Sequence, residues 1–349
     1  MDKNILTLIE TLETEHALPP EGYRALLEGY SEEAAALLRE KAVAVRKEIY
    51  GNAVYVRGLI EISSYCKNDC LYCGLRRSNH CAERYRLTEE EILECCREGY
   101  LLGLRTFVLQ GGEDAFFSDN VVESIVRKIK AAHPDCAVTL SLGERSRESY
   151  ARLRAAGADR YLLRHETADA DHYSLLHPRE LTLENRMNCL HALRALGYQT
   201  GCGLMVGSPG QTTETIVKDL LFIESFGPQM CGVGPFIPHH ATPFKDEPAG
   251  SVALTCYLLS IIRLICPTVL LPATTALGSL QEGGREMGIL SGANVVMPNL
   301  SPMSVRKKYE LYNGKLGTGQ EAAEGLHLLR GSMKKIGYEV VTDRGDAKR

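Results

Sequence analysis

The sequence predicts an α/β fold: one (β/α)8 TIM-type barrel with N-terminal helices before it and a short C-terminal extension after it. Three observations predict this. Short β-rich runs alternate with amphipathic helical stretches eight times, turn residues punctuate the alternation, and polar or glycine-rich segments follow seven of the runs at the same end. A hydrophobic share of 44% and a charged share of 24% supply the core that such a barrel needs. The boundaries fall at residues 1–50 for the helical segment, 51–300 for the barrel and 301–349 for a helical extension packed on it.

Taken in order, the first sixteen residues are acidic and amphipathic. They lack the cationic start and apolar run of a secretory signal and read as a helix; the helical pattern then continues to about Ile49. Candidate strands follow at residues 54–63, 106–110, 137–141, 160–164, 201–206, 230–235, 268–272 and 294–297. Thr88 ahead of Glu89, Glu90 and Glu91, and Thr212 and Thr213 ahead of Glu214, mark helix starts. Gly99, Gly103, Gly157 and Gly197 follow amphipathic runs and read as helix-ending residues. No apolar stretch reaches the roughly 18 residues of a membrane span, because Arg263 and Pro267 interrupt the most apolar region. A net charge of -4 gives no basic field for nucleic acid. A cytoplasmic enzyme is the expectation, with neither membrane nor nucleic acid as partner. The charged tail, residues 343–349, is the first change of composition along the chain.

In a barrel of this kind the chemistry sits at the carboxyl ends of the strands. Of twelve cysteines, Cys136, Cys189, Cys202, Cys231, Cys256 and Cys266 lie singly in apolar segments and read as small buried hydrophobes. Cys66, Cys70 and Cys73 instead share one loop after the first barrel strand. Four-iron clusters normally take four cysteines, and closed zinc sites take four protein ligands. Three thiolates therefore leave one metal position open to an exogenous molecule. Cys81 or His80 could be proposed as a fourth ligand, and a zinc knuckle completed by His80 is the alternative, although zinc spacing is usually a paired CxxC. At neighbouring strand ends, Gly111 and Gly112 let backbone approach a ligand closely. Glu113 and Glu166 suit a cationic group, and Arg164 and Arg186 suit a carboxylate. Salt bridges at the barrel rim are the bland reading of the same charges.

The CxxxCxxC spacing, with Tyr72 before the last cysteine, resembles that of the radical S-adenosylmethionine (SAM) superfamily. The resemblance implies one [4Fe–4S] cluster whose open iron chelates SAM, and reductive cleavage of SAM to methionine and a 5′-deoxyadenosyl radical. A narrower likeness runs through residues 56–61, 70–77, 84–86, 140–144, 159–167, 184–186, 197–201, 205–211, 234–239, 272–276 and 289–299. In these the chain is similar to the HydE family of [FeFe]-hydrogenase maturases, over about residues 54–299.

That resemblance implies a role in assembling the diiron subcluster of the hydrogenase H-cluster, on an organometallic iron–cysteine or other small-molecule substrate, with transient contact to other maturases. It also implies that Gln110, Gly112, Glu113, Ser141, Arg164, Glu166 and Arg186 surround SAM, and that Met230, Thr274, Thr275 and Tyr309 lie nearer the substrate. His239 joins Arg164, Arg186, Thr274 and Thr275 as groups suited to an anionic ligand. Thr274 and Thr275 as helix caps, and Met230 as ordinary core, are the alternatives. Some members of the family carry a second cluster on C-terminal cysteines, but the last cysteine here is Cys266, so one cluster is expected. The competing functions are a sister enzyme, methylornithine synthase-like or biotin synthase-like, and a non-catalytic iron–sulfur scaffold.

Overall fold

The N-terminal helices begin where the sequence supplies caps. Asp2 accepts the Asn4 N–H ahead of Lys3–Glu15, Pro20 opens Pro20–Glu28, and Ser31 caps Glu32–Tyr50. In this computed structural model, which describes residues 2–317, 319 and 321–348, the first and third of these helices pack on the apolar helix Val252–Ile265. That helix is buried nearly throughout, and its Arg263 is fully buried too. Arg263 stays satisfied by donating to the carbonyls of Gly292, Pro267 and Val269 and to Asn294. No helix among the described residues is long and apolar enough to cross a membrane.

The strands are β1 Ala53–Val56, β2 Gly58–Ser63, β3 Thr106–Gly111, β4 Ala137–Ser141, β5 Arg160–Leu162, β6 Gln199–Cys202, β7 Met205–Val206, β8 Met230–Cys231, β9 Gly234–Pro235, β10 Val295–Val296 and β11 Glu339–Val341. β2, β3, β4, β5, β6 and β8 form one parallel sheet in that order. Parallel bridges from Met230 to Leu270, Pro272 to Val295 and Leu59 to Asn299 continue it round to β2 and close the barrel.

The expected runs 201–206 and 230–235 each split in two at a glycine. A Cβ on Gly203 would lie 2.1 Å from the Gly232 carbonyl oxygen, so the two chains cross there too closely for a side chain, and pairing resumes above as β7–β9. The run 268–272 contributes bridges rather than a strand. Thr88 forms a capping box with Glu91, as its position predicts. Gly99 differs from its expected role, since it lies inside the helix Glu89–Leu101. A side chain there would strike Leu300 and Phe107, which the helix approaches directly.

The C-terminal extension is not purely helical. After the helix Ala322–Lys335 the chain forms β11, which pairs in parallel with β1. The charged tail then folds under the barrel instead of into solvent. Arg160, fully buried at the start of β5, donates to the Arg344 carbonyl at 2.7 Å and to Asp346 at 2.5 Å; Gln199 also donates to Asp346, at 2.8 Å. Burial opposes the charge on Asp346, but the Arg344 hydrogen bond, the Arg160 charge and the Gln199 bond hold its carboxyl well below the usual range. A depressed carboxylate stabilises the fold above its ordinary value and loses that contribution as the pH falls toward the folded value. Asp346→Asn should therefore lower the thermal midpoint at neutral pH, with the gap to wild type closing below about pH 4. A constant gap across a pH series of melting curves would contradict this.

A cysteine loop and a cavity at the carboxyl end of the barrel

The loop after β2 is held by hydrogen bonds that do not involve its thiols. Arg84 donates to the carbonyls of Ser64, Leu75, Arg76 and Asn79. Asp69 takes a two-pronged bond from Arg76 at 2.8 and 2.7 Å and also accepts the Ser78 N–H. Gly74 donates to the Leu311 carbonyl and sits where a Cβ would meet Glu310 backbone at 2.2 Å and the His239 ring at 2.5 Å. Gly112 meets the loop from the other side, where a Cβ would lie 2.2 Å from Tyr65 O and 2.7 Å from Cys66 Cβ. Glycine at 74 and 112 thus lets three strand-end segments close around the cysteines.

Cys66, Cys70 and Cys73 are free thiols. Burial pushes Cys73 up to about 12 and raises the other two, so iron would have to displace protons on binding. The thiols do not converge on one ion; among the described residues no three His, Cys, Asp or Glu side chains do. Three cysteines within eight residues of a pinned loop, without the paired CxxC of zinc sites, fit a polynuclear cluster in which each sulfur takes its own iron better than a zinc knuckle.

Beside the loop opens a cavity of about 350 Å³ inside the barrel mouth, enough for a ligand of nucleoside size. Cys73 and Tyr72 line one side. The Tyr72 hydroxyl meets His177 Nε2 at 3.3 Å while His177 Nδ1 donates to the Tyr173 carbonyl at 2.9 Å, and burial pushes His177 down to about 3. The ring therefore stays neutral and accepts from the tyrosine.

Charges of both signs face the cavity. Arg164 pairs with Glu166 at 3.0 Å and donates to the Leu204 carbonyl at 2.6 Å, while its Nε is buried with no partner. Arg186 pairs with Glu144 at 2.6 Å and donates to the Arg164 carbonyl at 2.7 Å. Thr274 precedes the helix Thr275–Leu280 but makes no capping bond with its side chain. Its hydroxyl is buried and unpartnered against Gly234. Unsatisfied donors on a cavity wall mark where a polar ligand would be bound.

Of the residues singled out by sequence, Gln110, Ser141, Arg164, Glu166, Arg186, Thr274, Thr275, Tyr309 and Cys73 line this cavity. Four do not. Met230 begins β8 at the bottom of the barrel and packs with Tyr50, Tyr55, Leu270 and Val295, where its sulfur accepts from Arg57 at 2.9 Å. Residues that open a barrel strand face the lower core, so its assignment to the substrate cavity is corrected. Glu113 lines a neighbouring recess, paired with Lys67 at 3.1 Å and accepting the Glu144 N–H at 2.9 Å across Gly143. Gly112 supports the cysteine loop, and His239 is buried beneath Gly74.

Two charged lining residues escaped the sequence reading. Glu61, fully buried on β2, is ion-paired with Lys315 and accepts from Asn299 at 2.9 Å. An acid among Leu59, Ile60 and Ile62 was its one sequence signal; Lys315 had none.

The radical SAM superfamily model matches residues 60–223. The chain is 44% identical over 305 residues to a protein of Thermotoga maritima described as [FeFe] hydrogenase maturase subunit HydE, covering 87% of each chain. It is 31% identical over 282 residues to 3-methylornithine synthase of Methanosarcina acetivorans, covering 80% of this chain and 79% of that protein. A crystal structure of methylornithine synthase superposes with a TM-score of 0.84 at 26% identity, over 96% of this chain and 97% of that one.

Proposed function

The chain belongs to the radical SAM superfamily, within the HydE family of [FeFe]-hydrogenase maturases, and from that premise we propose that it acts in assembly of the diiron subcluster of the hydrogenase active site. The carrying observation is three free thiols on one pinned loop, one of which, Cys73, lines a cavity whose wall carries an unpaired guanidinium Nε and an unpaired threonine hydroxyl. When bound, the cluster and SAM supply reductive cleavage to methionine and a 5′-deoxyadenosyl radical.

The chain's own residues hold and orient. Cys66, Cys70 and Cys73 would each take one iron and leave the fourth to SAM. Glu166 and Arg164, with Gln110, Ser141 and Arg186, would bind the oppositely charged ends of its methionyl part. Thr274, Thr275 and Tyr309 would face the substrate, an organometallic iron–cysteine species or other small molecule. Leu162, Leu163, Met205 and Phe236 give the wall an apolar stretch that keeps water from a reactive carbon. Other maturases are its proposed transient partners, in the cytoplasm. The architecture we propose is a helical segment over 1–50, the barrel over 51–300 and an extension over 301–349.

The test is in vitro maturation of an apo-hydrogenase with and without this protein. Hydrogen evolution should depend on it, and the same preparation should form no 3-methylornithine. Full maturation in its absence would reject the proposal, and 3-methylornithine formation would favour the sister enzyme.

A further inference from the structure

Arg164 and Glu166 face the cavity, and the residue between them faces the other way. His165 is fully buried behind the wall, its ring edge-on to Phe222 at 4.8 Å. Its Nδ1 accepts the Gly203 N–H at 3.3 Å, and a backbone N–H can only donate, so the ring proton sits on Nε2. Nε2 lies 3.2 Å from Oδ1 of Asp219, on the helix Thr213–Phe226, and the same oxygen accepts the Ala168 N–H at 2.5 Å. Asp219 is also fully buried. One histidine and one aspartate thus tie together the cavity wall, the turn at Gly203 and the helix behind them.

The wall segment needs holding. Glu166 has a φ of 65°, and His16 is the other described non-glycine residue with a positive value. Side-chain-bearing residues rarely adopt this conformation, and it persists where surrounding bonds over-determine it. Glu166 N–H donates to the Gly203 carbonyl at 3.0 Å, and Met205 N–H donates to the Glu166 carbonyl at 3.3 Å. Gly203 is therefore gripped from both sides: its carbonyl by Glu166 and its N–H by His165. Loosening His165 would release the turn that keeps the Glu166 carboxylate aimed inward.

We propose that His165 and Asp219 are positioning residues, which fix Glu166 and Arg164 toward the ligand in the cavity without touching it. The inference rests on the reading of Arg164 and Glu166 as SAM-binding residues. It is tested on anaerobically reconstituted protein by SAM affinity, by the change SAM causes in the EPR signal of the reduced cluster, and by iron content and thermal midpoint.

His165→Leu and Asp219→Ala should weaken SAM binding about ten-fold, the scale of one lost hydrogen bond to a charged group, at unchanged iron content. Asp219→Asn keeps an acceptor oxygen and should recover most of the affinity. Should Asp219→Ala fail to fold, His165→Leu decides, since leucine fills much of the same space but neither accepts the Gly203 N–H nor donates to Asp219. Glu166→Gln is the reference. If it alone weakens binding, the positioning role is overturned and the ligand reading stands; if none of these variants weakens binding, both fall.

Discussion

Cys70→Ala should leave a folded protein that retains no stable cluster and forms no 5′-deoxyadenosine above background. The loop's shape does not depend on the thiol, because Arg84 and the Asp69–Arg76 pair hold it through carbonyls and a carboxylate. What the substitution removes is one of three iron ligands. A cube held by two thiolates has two irons without protein ligands and is lost to solvent and chelators. Iron and sulfide content, the EPR spectrum after reduction and product analysis measure each consequence separately, and an unchanged melting curve shows that folding is not the cause. Cys81→Ala is the matched control: Cys81 is exposed outside the pinned turn, so its removal should change none of these. A cluster that survives Cys70→Ala but not Cys81→Ala would place the ligands elsewhere.

The barrel was readable because local rules and the global fold agree. Runs such as Ala137–Ser141 are apolar, β-branched and bounded by turns, and parallel strands buried on both faces need no more than that. The cysteine loop was readable because its ligands lie within eight residues of one another. Contacts between distant residues were not. The Glu61–Lys315 pair spans 254 positions and the Arg160–Asp346 pair 186, and nothing local in a lysine or a charged tail announces a buried partner. Met230 failed for a different reason. Its strand was identified, but it opens that strand, at the end away from the mouth, and the family likeness, not its place in the strand, had put it near the substrate. Arg263 interrupts an apolar run as a charge should, yet it is fully buried because four acceptors from the returning chain meet it there.

Lys315→Ala should be among the most destabilising single changes in the chain. It removes one member of a buried ion pair whose side chains are 7% and 0% exposed, and it leaves the buried Glu61 carboxylate, which also accepts from Asn299, without its lysine. Breaking such a pair from one side typically costs about 3–5 kcal/mol, mostly the penalty of an uncompensated buried charge. Replacing both partners by uncharged residues of similar volume, Glu61→Gln with Lys315→Met, should be far milder, and that asymmetry distinguishes charge burial from lost packing. The effect should also reach the cavity. Lys315 donates to the Tyr309 carbonyl at 3.0 Å and lies 4.7 Å above the Tyr309 ring, whose hydroxyl accepts from Gln110 at 3.4 Å. The segment carrying Tyr309, Leu311 and Tyr312 over the cavity is thus anchored to β2 and β3 through these two residues. Freed from Glu61, it should expose protease sites near residue 310 at temperatures where the wild type resists cleavage. A melting midpoint and a digestion pattern equal to wild type would mean that the pair anchors nothing.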